Sequence, residues 1–183
     1  MKKIVTLGLS SILATFVLTG CGIKTSDYNV SADNVNELRK LNNIKIAVSP
    51  FTAIKPGENS ILCRLADTVE TSNNESFEKY IENAFIEELK MANIYDSNSE
   101  IKISGKLKKI EASTIGSAYW LFDMTVSSSN GESFDITSKR EYGAAFLAYT
   151  ACMNMGTSFA PSVKQLISEI ITHSEFKKLL ITK

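Results

Sequence analysis

Histidine occurs once in these 183 residues, proline three times and cysteine three times. A lone His173, with no H-E-x-x-H and no Cys-x-x-Cys, leaves no ligand set for a transition metal, and no metal site is expected. No G-x-S-x-G elbow presents a nucleophilic serine, and neither G-x-x-x-x-G-K-[ST] nor G-x-G-x-x-G is there to cradle phosphate. Glu87 and Glu88 are adjacent, so on a helix they project about 100° apart and do not form a facing acid/base pair. Charge of one sign is missing too. Twenty Lys+Arg balance 20 Asp+Glu at a pI near 6.6, which argues against a chain built to bind nucleic acid. Lys106, Lys108 and Lys109 form the densest basic group and read as a solvated strand edge, not a membrane-surface patch. No internal repeat is visible. On these grounds no catalytic residue is assigned, no cofactor is expected and enzyme chemistry is not anticipated.

What the sequence does have begins at its amino terminus. Lys2 and Lys3 precede an apolar run, Ile4 to Leu18, shorter than the roughly 18–20 residues of a permanent membrane span. That pattern fits the apolar core of an export signal. The run ends in Leu18-Thr19-Gly20-Cys21, which resembles the lipobox of bacterial lipoproteins. The resemblance implies cleavage after Gly20 and a diacylglyceryl group on the Cys21 thiol, so the covalent lipid is the only attached group expected. It also implies attachment to a membrane by that lipid. Gly22 stands where Asp would favour inner-membrane retention, a pattern similar to outer-membrane lipoproteins facing the periplasm.

Residues 21–43 are rich in Asn, Ser, Asp and Lys and read as a tether, with one helical turn near Val35–Leu38. A coil of that length spans about 25 Å. Residues 44–183 read as a single domain. Ile44–Ser49 alternates as a strand ended by Pro50, and Ser60–Leu65 is a second short strand. Ser72 and Glu75 match a capping box before a helix whose apolar stripe is Phe77, Tyr80, Ile81, Ala84, Phe85 and Leu89, with Glu78, Glu82, Glu87 and Glu88 mostly on its outer face.

Three strands follow. Gly105 suggests a bulge or a close approach of backbone, and Ile110 breaks the alternation, which supports a bulge. Trp120, Phe122, Met124 and Val126 share one strand face, and Asn130-Gly131 signals a type I′ hairpin turn. Ala144–Ile171 reads as helix, kinked or restarted at Gly156 and Pro161, before a short terminal helix capped at Thr172 and Glu175. This order predicts an α+β fold of two layers, a mainly antiparallel sheet with helices packed on one face.

Element order, Cys63-Arg64, the Trp120 strand with its Ser-Asn-Gly turn and Ala151-Cys152 together resemble small envelope lipoproteins of β-α-β-β-β-α type. These include outer-membrane accessory lipoproteins and auxiliary lipoproteins of ABC transporters. Cys63 and Cys152 either pair as a disulfide, in keeping with an oxidising compartment, or stay as separate buried thiols. Tyr119, Trp120, Phe146 and Tyr149 belong to an aromatic cluster that serves as core or as a partner or ligand surface, with Ala144–Tyr149 the leading candidate for such a surface. The expected function is a non-enzymatic envelope lipoprotein that docks a protein partner or assists an assembly or transport complex. The alternative is a carrier of lipid or a small apolar ligand, with its pocket between sheet and long helix.

Overall fold

The structure is a computed structural model, and it describes residues 22–42, 44–64 and 67–181. The signal segment and Cys21 lie outside the described residues. In chain order the elements are β1 (Ile23–Lys24), α1 (Ala32–Arg39), β2 (Ala47–Val48), β3 (Thr52–Ala53), β4 (Ser60–Cys63), β5 (Asp67–Glu70), α2 (Phe77–Met91), β6 (Lys102–Ser113), β7 (Ala118–Ser128), β8 (Ser133–Tyr142) and α3 (Ala148–Thr172). The short terminal helix, Phe176–Leu180, is of the 3-10 type. The fold is α+β.

Strands β6, β7 and β8 form the expected antiparallel meander, and β2 and β3 add to β6 in parallel. Side chains alternate across this sheet. Ile103, Leu107, Trp120, Phe122, Met124, Val126, Phe134 and Ile136 are buried on one face, under α2 and α3. Phe159 of α3 and Phe77 of α2 both reach Trp120, with ring centroids at 4.9 and 6.4 Å. A second sheet, β1-β5-β4, packs against α3.

Gly105 provides the close approach, because a Cβ there would lie 2.7 Å from the Phe51 ring. The bulge falls a few residues later, where the β6–β7 register slips between Leu107 and Lys109. The β7–β8 turn differs from the type I′ expectation. Gly131 alone carries positive φ (92°), and its N–H donates to Ser128 O at 3.0 Å, closing a three-residue loop. Asn130 has no positive φ, and its side-chain amide donates to Lys178 O and Ile181 O, each at 2.9 Å.

Helix α2 is capped by Ser76, not Ser72, and Glu75 instead accepts from Asn83 Nδ2 at 2.7 Å. Helix α3 begins later than expected and runs unbroken through Gly156 and Pro161. Gly156 acts as a contact point, where a Cβ would lie 2.9 Å from Ile23 Cγ2.

Two expectations fail together. The tether is folded, and three of the glutamates assigned to the outer face of α2 are buried. Glu88, fully buried, accepts through Oε1 from the Tyr28 hydroxyl (2.5 Å), Ser31 N (2.8 Å) and Asn34 Nδ2 (3.3 Å). Thr25 N donates to Glu70 O, and the Tyr80 hydroxyl donates to Ser26 O. Glu82 accepts from Phe51 N at 2.7 Å and Glu78 from Gly57 N at 3.0 Å. Stretches without sheet or helix partners must satisfy buried N–H groups somewhere, and α2 supplies the acceptors. Glu88→Ala removes the acceptor of three donors at once, of which the Asn34 amide keeps Lys164 O at 3.2 Å. It is expected to lower stability by about 2–4 kcal/mol, read as a lower urea midpoint at unchanged slope.

Candidate functional site: two surfaces and the disulfide between strand and helix

Cys63 at the end of β4 is bonded to Cys152 in the second turn of α3, with Cα atoms 5.8 Å apart and 89 residues between them in sequence. Arg64, the residue after Cys63, fastens two neighbouring segments. Arg64 Nε donates to Thr114 Oγ1 (2.9 Å), and its Nη2 donates to Thr114 O (2.8 Å) and Ala145 O (3.0 Å). One guanidinium thus ties the β6–β7 turn to the segment before α3. Ile115, Phe146, Leu147 and Tyr149 project from these two segments and are exposed.

The four aromatic candidates separate. Phe146 and Tyr149 stand at this apolar end. Trp120 is a correction, since it is fully buried and its indole N–H donates to Met155 O at 2.9 Å. Its alternation with Phe122 and Met124 puts it on the covered face, so it cannot meet a partner. Tyr119, one residue away, points to the opposite, uncovered face of the sheet.

That face is polar and internally paired. Lys108 lies 3.1 Å from both Asp123 and Asp135. The Thr125 hydroxyl, and then Lys108, hold the Asp135 carboxyl below its ordinary range. The Tyr119 hydroxyl bonds Glu111, which raises its pKa, and Lys139 Nζ sits 4.4 Å from the Tyr119 ring centre. On the second sheet, Lys24 lowers the Glu70 pKa through a 2.5 Å hydrogen bond. Asp123 and Asp135 thus meet at one cation, Lys108, while Glu111 pairs with Lys109 and Glu70 with Lys24 at other places. His173 stacks on Phe134 (4.2 Å) and its Nδ1 accepts from Glu175 N at 3.2 Å, a local cap at the end of α3.

Among the described residues no group of three or more His, Cys, Asp or Glu side chains is placed to hold a metal, and no helix is long and apolar enough to cross a membrane. The space between sheet and long helix is filled by side chains. Phe159 lies 4.9 Å from Trp120 and 6.2 Å from Phe122, and all three are fully buried. An apolar recess between Ala53–Lys55, Phe77 and Leu107–Ile110 measures about 90 Å³. A groove of about 400 Å³ beside Asp27, Tyr28, Glu75 and Lys90 is polar.

No family model matches the chain, and no curated protein matches it. Solved structures similar in outline include two of uncharacterised function. One is a Xanthomonas campestris protein of family DUF330, 12% identical, with TM-score 0.48 over 81% of this chain and 88% of that one. The other is an uncharacterized protein, 9% identical, with TM-score 0.49 over 82% of this chain and 97% of that one. Likenesses of this degree assign no residue a role.

Burial pushes the Tyr142 hydroxyl, which donates to Ser113 O at 2.9 Å, up to about 12. Burial first, and then the bond to Glu88, raise Tyr28 well above its ordinary value. The unfolded chain therefore loses these protons first, near pH 10. The stabilisation is complete below that pH and is lost as pH rises through the folded values. The urea midpoint should be flat up to about pH 9.5 and then fall, less steeply in Tyr142→Phe. Replacing both Cys63 and Cys152 by Ala should cost about 4.5 kcal/mol on chain-entropy grounds, read by the same denaturation.

Proposed function

We propose that this chain is a bacterial envelope lipoprotein, exported by residues 1–20 and held to the outer membrane by acyl chains on Cys21. It acts without catalysis, by docking a protein partner within an envelope assembly or transport complex. One observation carries the choice of docking over carriage. Trp120, Phe122 and Phe159 pack on one another where a carried ligand would have to lie. A carrier of drug-sized or larger molecules needs a cavity of about 300 Å³ or more there.

The surface offered to a protein is the uncovered sheet face. Tyr119 and Leu121 lie half-exposed on β7, the strand between β6 and β8, in a surround of paired charges. A tyrosine held rigid by Glu111 and Lys139 presents contact area at low entropic cost, as interface anchors do. The ion pairs around it supply a polar rim.

A photo-crosslinking side chain at Leu121, introduced in cells, should capture a discrete envelope protein. Tyr119→Ala should lower that yield roughly fivefold, the effect of losing a hot-spot side chain. Recovery of lipid adducts alone would contradict docking on this face.

A further inference from the structure

The apolar end has a position in the chain that bears on what covers it. Ile115, Phe146, Leu147 and Tyr149 are 75, 96, 67 and 69% exposed. From Tyr142 to Val163 the sequence has no charged side chain. Arg64 spends its donors on Thr114 and Ala145 and so holds the two segments together.

The chain also leaves toward position 21 at this end. Strand β1 runs parallel to β5, with Ile23 opposite Val69, and β5 begins at Asp67, opposite Cys63. Cys63 is bonded to Cys152, one helical turn from Tyr149. Gly22 lies against Thr68 and Glu70, so the backbone traced back from Ile23 heads toward the disulfide and the apolar end. No tether intervenes. One residue adds about 3.5 Å, so a lipid on Cys21 would keep this end within a side chain's length of the headgroups.

We infer that the apolar end is a membrane-contact surface: Ile115, Phe146, Leu147 and Tyr149 enter the interfacial layer of the bilayer that holds the acyl chains. The inference rests on the proposed acylation of Cys21. Apolar side chains with a tyrosine among them suit the boundary between headgroups and acyl chains. An acyl anchor and a second weak contact reinforce each other, as dual-signal attachment does. The seated body would then turn the uncovered sheet face away from the lipid as a side wall, where a protein can reach it. A protein bound at the apolar end itself would have to fit between the body and its own anchor.

The test uses the full-length protein, purified from membranes and reconstituted in phosphatidylcholine vesicles with brominated acyl chains. Phe146→Trp places an indole at the tip, where 96% exposure leaves the fold undisturbed, while the buried Trp120 provides a constant background. The introduced indole should lose about half its emission relative to unbrominated vesicles, as expected for an interfacial side chain. Thr137→Trp on the uncovered face should lose none. An acylated protein whose tip indole stays unquenched overturns the membrane contact and leaves the anchor standing. Mass spectrometry of the same sample reads the anchor separately, and a Cys21 without diacylglycerol overturns both readings.

Discussion

A buried carboxylate on α2 determines where the folded body begins. Glu88 gathers Tyr28, Ser31 and Asn34 on one oxygen. Those three bonds turn a polar stretch into α1 and a loop packed on the helix layer. Glu82 and Glu78 do the same for the irregular chain at Phe51 and Gly57. Helix α2 is therefore apolar toward the sheet and acidic toward the backbone that wraps it. The bond to Phe51 N is buried and those to Ser31 N and Gly57 N are part-buried, and a buried N–H left unpaired costs more than an ordinary hydrogen bond contributes.

A folded amino-terminal segment changes what a lipid on Cys21 would do. A tether would let the body wander about 25 Å from the bilayer. With β1 paired to β5 and Ile23 seated on Gly156, the body would instead hold one orientation. The disulfide and Arg64 brace the same end, joining β4, the β6–β7 turn and the start of α3. Rigidity at a lipid-bearing Cys21 would convert an anchor into a means of presenting a chosen face.

Much of the layer architecture was legible in the residues. The stripe from Phe77 to Leu89 and the alternation from Trp120 to Val126 are strong periodic signals, and both elements stand where those signals put them. The bulge was also readable, from the broken phase at Ile110. The first 20 described residues were not. Strand β1 is two residues long and exists only because β5, more than 40 positions away, offers it an edge. A glutamate on a helix looks the same in sequence whether it faces water or a buried N–H, so Glu88 carried no local mark. Trp120 shows two signals in competition. Its aromatic character suggested a contact surface, while its phase with Phe122 placed it inside, and the phase decided. The Cys63–Cys152 pair was open because spacing contains no distance.

Hydrogen exchange of individual backbone amides addresses the central claim most directly. The amides of Ser31, Phe51 and Gly57 lie outside every helix and strand, yet each donates to a carboxylate of α2. If those carboxylates hold the body together, the three should exchange as slowly as amides in the middle of α2, through global opening. Exchange of Ser31 at the rate of an unstructured chain would mean that the amino-terminal segment is free, and that Glu88 does not organise it.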